Sequence, residues 1–130
     1  MHVNPADLRH VSVFREATDE DLRLFHSKAI LRTIEEGEFF FLQGDPAAYF
    51  YVLVSGRAKL LQSNPAGQQV NLRMINEWQM FGAIGAVHPD RVYPATAQAL
   101  DPSTALAIES SFLHEAMQTR SYLSFGLMQL

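Results

Sequence analysis

The sequence predicts a mainly β domain, closed or built as two sheets, with helices at both ends. Apolar residues alternate with period two in short runs between Ile30 and Ile108, and turns bearing glycine or proline separate those runs. Many short antiparallel strands of this kind cover their edges by closing on themselves or by packing as two sheets. The 130 residues, 48% of them hydrophobic, suffice for one domain with a real core.

Taken in order, Pro5 to Phe14 reads as a short helix. A second follows, with Thr18 as N-cap, Asp19, Glu20 and Asp21 complementing the helix dipole, and Leu22 and Phe25 on one face. From Ile30 the period becomes two. Ile30, Arg32 and Ile34 alternate with Leu31, Thr33 and Glu35, and Glu36-Gly37-Glu38 punctuates before the strand Phe39-Phe40-Phe41-Leu42. Gln43-Gly44-Asp45-Pro46 is a turn, Tyr49 to Val54 an aromatic and β-branched strand, and Ser55-Gly56 a tight turn into Arg57 to Gln62. Asn64-Pro65-Ala66-Gly67 has the residue order of a type I turn, and Val70, Leu72 and Met74 alternate in the returning strand. Ala95 to Leu100 and Thr104 to Ile108 supply further strands around Asp101-Pro102. Helical character returns at Ser110 to Leu113 and again at Ser121 to Leu130, where Leu123, Leu127 and Leu130 form a stripe that points to a partner helix.

Composition excludes several functions. Ten Lys and Arg against 14 Asp and Glu leave a net charge of −4, so the chain lacks the basic footprint of a DNA-binding protein. The absence of cysteine removes disulfides, Cys-ligated zinc, iron–sulfur clusters and thiol catalysis. No window has the length of a membrane span, and Met1 to Pro5 carries neither a basic leader nor an apolar core; the expectation is a cytoplasmic chain without membrane contact. The five histidines, His2, His10, His26, His88 and His114, show no metal-ligand spacing, which disfavours a metal-dependent cupin enzyme. Glu35, Glu36 and Glu38 read as a solvated rim around a turn, and no nucleophile elbow is present.

Several segments are more specific. Glu36-Gly37-Glu38-Phe39 followed by Gln43-Gly44-Asp45, the run Phe50 to Gly56, the turn Asn64 to Gly67, and Phe81-Gly82 before a variable loop resemble the effector domain of the Crp/Fnr superfamily of transcription regulators. Tyr93-Pro94-Ala95-Thr96-Ala97-Gln98-Ala99 with Pro102-Ser103 is similar to the dissimilatory nitrate respiration regulators, which sense nitric oxide through haem. The resemblance implies a double-stranded β-helix, a jelly roll of the cyclic-nucleotide-binding type. Residues 1–120 would form an effector-sensing β-roll with N-terminal helices, and residues 121–130 the start of a C-terminal dimerisation helix. It implies a homodimer through that helix, a small-molecule or gas effector, and DNA contact only through a domain missing from this chain.

In cyclic-nucleotide-binding members a Phe-Gly-Glu, followed further on by Arg-Ser or Arg-Thr and Ala, holds the ligand. The Arg and backbone N–H groups bind the buried phosphodiester, while the carboxylate accepts from the ribose hydroxyl. Here Phe81-Gly82 matches, but Ala83 replaces the Glu and Tyr93-Pro94 replaces Arg-Ser. The implied effector site is Gly82, Ala83, Ile84, Gly85, Tyr93, Pro94 and Ala95, with cyclic nucleotides disfavoured. Arg73 and Arg91 are the cations that could compensate, and both read as solvated side chains. Haem needs one strong ligand and an apolar slot, so His10 and His114 are the candidate ligands. Met74, Met80, Met117 and Met128 with Trp78, Phe81 and Phe125 are candidates for an apolar pocket or for ordinary core. The alternatives are the cupin enzyme and an effectorless dimerisation module.

Overall fold

Alternation of side chains becomes two antiparallel four-stranded sheets in the computed structural model, which describes residues 2–88 and 90–130; Met1 and Pro89 lie outside the described residues. One sheet runs β1 (Ile30–Ile34), β8 (Ser103–Glu109), β3 (Tyr49–Ser55), β6 (Met80–Phe81). The other runs β2 (Phe39–Phe41), β7 (Thr96–Ala99), β4 (Ala58–Ser63), β5 (Gln69–Ile75). Only β4 and β5 are consecutive in sequence and paired in one sheet, so every other strand-to-strand step crosses between sheets and winds the chain into a roll. The expected two-sheet architecture is therefore present, with the type I turn at its hairpin: Gly67 N–H donates to Asn64 O at 2.9 Å, and Asn64 Oδ1 accepts from Ala66 and Gln68.

β3 explains why the core has two halves. Successive side chains on a strand point to opposite faces, and this one is covered on both. Tyr51 and Leu53 face inside the roll with Phe40, Phe41, Ile75, Phe81 and Tyr93. Phe50 and Val52 face the helices, against Leu8, Phe14, Leu22, Phe25 and Leu113.

The N-terminal segment departs from the single helix read from its pattern. It forms two 3-10 turns, Pro5–His10 and Ser12–Phe14, separated by Val11 in extended conformation. A continuous helix turns only one stripe inward; the break lets Leu8, Val11, Val13 and Phe14 all reach the core. The next helix, α1 (Asp19–Lys28), follows its signals: Thr18 Oγ1 accepts from the Asp21 N–H at 3.1 Å, and Leu22 and Phe25 are buried.

After β8 come α3 (Ser110–Met117) and α4 (Ser121–Met128). The leucine stripe read as a partner-seeking face is corrected here. Leu123 is fully buried in this chain's own core and Leu127 packs against it, whereas Phe125 and Met128 are 70% and 85% exposed. A helix lying on its own domain spends its most regular apolar stripe on that contact.

The stripe alone does not hold α4 in place. Arg120 Nε donates to Asp21 Oδ2 at 2.9 Å and the Tyr122 hydroxyl donates to the same oxygen at 2.7 Å, tying α4 to α1. The hydrogen bond from Arg120 holds the Asp21 carboxyl below its ordinary value, and burial followed by the hydrogen bond to Asp21 pushes the Tyr122 hydroxyl up. A lowered folded pKa contributes stability above the unfolded value, near 3.8 for Asp21, and the contribution is lost as pH falls through the folded value. Asp21→Asn is expected to cost about 1–2 kcal/mol at neutral pH. Urea unfolding of both proteins across acid pH should show the difference shrinking below the unfolded value; a difference that is independent of pH would mean that the carboxylate charge is not what ties the helices.

Candidate functional site

The residues around Gly82 converge on an apolar crevice of about 230 Å³. Its back is Phe41, Phe81 and Tyr93; one wall is the short helix α2 (Ala83–Val87), the other the β4–β5 hairpin through Leu60, Leu72 and Arg73, and Leu130 stands at the edge. The expectation of a variable loop directly after Phe81-Gly82 is corrected by this helix. Gly82 caps it in the left-handed conformation, φ +80°, and a Cβ on Gly82 would lie 3.1 Å from the Phe41 ring. A Cβ on Gly85 would lie 2.8 Å from the Val92 carbonyl, so both glycines let α2 press against the segment that carries Tyr93.

All seven residues of the implied effector site, Gly82, Ala83, Ile84, Gly85, Tyr93, Pro94 and Ala95, line this one crevice. Their chemistry differs from a phosphate cassette. Ala83 is 1% exposed and supplies no carboxylate. Tyr93 is 3% exposed and its ring stacks on Phe41 with centroids 3.8 Å apart. Its hydroxyl donates to the Tyr49 carbonyl at 2.6 Å and accepts from the Tyr49 N–H at 3.2 Å, and burial pushes it up to about 12. Pro94 is exposed, its carbonyl accepting from Gln62 Nε2. Ile84, 56% exposed, forms the rim.

The two candidate cations separate. Arg91, at φ +51°, is exposed in a different cleft beside His114. Arg73 reaches the crevice, where Nη2 donates to the Met80 carbonyl at 3.0 Å. The reason is a register shift: Leu60 pairs with Arg73 but Leu61 with Asn71, so Leu72 is an extra residue and Leu72 and Arg73 both line the crevice instead of alternating. Sequence reasoning missed this, because the bulge carries no glycine or other local marker.

The histidines do not converge. His10 stands beside Trp78, ring centroids 5.7 Å apart, in a cleft that shares Arg73, Met80 and Leu130 with the crevice. His114 lies on α3 in the separate cleft of Arg91. His26 Nε2 meets the Val3 carbonyl, and His88 ends α2. Among the described residues no three His, Asp or Glu side chains come together as metal ligands. Of the methionine and aromatic candidates, Met80 and Phe81 line the crevice and Trp78 the neighbouring cleft, while Met117 packs on the core and Met74, Phe125 and Met128 are exposed.

A roll with an apolar crevice beneath a short helix, and more helices after the last strand, is the architecture of a ligand-sensing domain. Residues 31–120 match the cyclic nucleotide-binding domain family. Among relatives, the global nitrogen regulator of Synechococcus elongatus is 28% identical over 102 residues, 76% of this chain and 45% of its own length. The transcriptional activator protein anr of Pseudomonas aeruginosa is 29% identical over 99 residues, 76% of this chain and 40% of its own length. The sensor domain of the transcriptional regulator DNR from Pseudomonas aeruginosa superposes with a TM-score of 0.83 at 28% identity, covering 94% of this chain and 81% of that one. The chain belongs to the cyclic nucleotide-binding domain family, as an effector domain of the Crp/Fnr type, and these relatives are named as regulators. It spans less than half the length of the curated relatives it matches. No helix among the described residues is long and apolar enough to cross a membrane.

Proposed function

We propose that this domain senses a small effector other than a cyclic nucleotide, bound in the crevice between α2 and the β4–β5 hairpin, and passes the bound state to a DNA-binding domain outside this chain. The observation that carries the reading is Tyr93: an apolar ring, hydrogen-bonded back to Tyr49, fills the position where a phosphate-binding Arg belongs. Ligand that binds one arrangement of α2 and the C-terminal helices better than another shifts their equilibrium.

Haem is the second reading, and the His10 cleft is what favours it. The crevice contains no histidine, but the cleft of His10 adjoins it through Arg73, Met80 and Leu130, so haem would have to span both to reach an axial ligand. His114, in its separate cleft, would require a different site. Titration with haemin should give a saturable Soret shift that His10→Ala removes and His114→Ala leaves. No saturable shift leaves the non-haem effector; a shift that survives replacement of His10, His26, His88 and His114 one at a time eliminates the His-ligated version.

The partner is a second copy of this chain, joined through α4. Phe125 and Met128, three residues apart, present an apolar face of α4 that the domain's own core leaves uncovered. Sedimentation at rising concentration should show reversible association that Phe125→Glu abolishes without lowering the melting temperature. Leu127→Glu should instead unfold the helix contact, because Leu127 packs on the core. A monomer at all concentrations would remove the claim.

A further inference from the structure

Arg73 is the one charged side chain among the crevice-lining residues. Of its three guanidinium nitrogens only Nη2 has a hydrogen-bonding partner among the described residues, the Met80 carbonyl, and no carboxylate there forms a salt bridge with it. Glu77 shares the adjoining cleft without pairing to it. The cation comes from β5, through the bulge at Leu72, and not from the Tyr93–Pro94 segment that carries the phosphate ligand in cyclic-nucleotide-binding relatives. Most of the remaining surface is apolar, with Phe41, Leu60, Leu72, Met80 and Phe81 facing α2. Resting on the reading of this crevice as the effector site, we infer that its ligand is a small amphipathic monoanion, a carboxylate with an aromatic or aliphatic body, whose acid group pairs with Arg73.

The chemistry favours a carboxylate. A guanidinium presents a planar fork that matches two carboxylate oxygens. The body of the ligand replaces water against Phe41, Phe81 and the hairpin leucines. With one cation in an otherwise apolar crevice, the second charge of a dianion finds no partner there.

The test uses matched acids and amides: phenylacetate against phenylacetamide, 3-phenylpropionate against its amide, octanoate against octanamide. Each is titrated into the isotope-labelled chain at neutral pH while the amide signals of Gly82, Gly85 and Ala95 are followed. At least one acid is expected to shift these signals with an affinity about tenfold or more above its amide. Arg73→Met should level the pair while the amide still binds, and Arg73→Lys should keep part of the preference; Arg73 is exposed on its strand, so melting temperatures should stay close to that of the natural sequence. Equal binding of acid and amide, or a preference that survives Arg73→Met, overturns the inference and leaves the crevice as effector site. If no acid or amide shifts the crevice signals, both fall.

Discussion

Tyr93→Ala is expected to lower the stability of the domain by about 3–5 kcal/mol, the range for removing a large aromatic from a core. The ring is 3% exposed and stacked on Phe41, and Phe41 in turn packs on Tyr51 and Phe81, so a cavity here opens beneath the crevice and between the sheets. Tyr93→Phe keeps the stack and removes only the hydroxyl; it leaves the Tyr49 carbonyl without its 2.6 Å donor and should cost about 1–3 kcal/mol. Urea unfolding measures both, and a loss under about 1 kcal/mol for Tyr93→Ala would show that the crevice does not depend on this ring. Alkaline pH offers an independent check. The folded value of the hydroxyl is raised to about 12 from an ordinary 10.0, so its contribution is complete below pH 10 and is lost as pH rises toward the folded value. Alkaline sensitivity in that window should be weaker in Tyr93→Phe.

Cyclic AMP and cyclic GMP are expected to bind about two to four powers of ten more weakly than to a site with a complete cassette, given roughly 1.5–3 kcal/mol for each lost charge-assisted bond. Neither Ala83 nor Tyr93 can pair with a buried anion, and Arg73 stands on the hairpin instead of beside α2. Calorimetry decides: micromolar affinity in the natural sequence overturns the argument. Restoring Glu at Ala83, Arg at Tyr93 and Ser at Pro94 together should raise affinity. The structure adds a condition to that experiment, because Tyr93→Arg also breaks the stack on Phe41 and Ala83→Glu enlarges a buried residue. The triple variant should therefore unfold more readily, with nucleotide restoring part of the loss in proportion to ligand concentration.

Much of the roll was legible because its signals are local. Thr18 caps α1 through its own side chain, Asn64 to Gly67 turns the β4–β5 hairpin through bonds within five residues, period-two alternation marks β1 and β5, and an aromatic and β-branched run marks β3. Gly82 to Gly85 and Tyr93 to Ala95 could be assigned to one site from sequence by resemblance, and they do line one crevice. What failed depended on partners distant in sequence. The break at Val11 answers a core formed with β3 and β8, and the inward turn of Leu123 answers a core that reaches back to Leu8 and Phe14. Asp21 and Arg120 had no reason to be paired across 99 positions.

The sequence by itself determined the mainly β architecture, the helix cap and the turns, because each is written in residue types at fixed spacing, and through the family resemblance it pointed to the loss of the Glu and Arg that a cyclic nucleotide needs. The tertiary structure decided which cation enters the crevice and which face of α4 stays open. Arg73 enters because a bulge at Leu72 puts neighbouring residues on one side of a strand, and Phe125 and Met128 stay outside because the domain's own core takes Leu123 and Leu127 first. Both outcomes turn on packing between distant segments, where the geometry of closing the roll outweighs the local preference of any one residue.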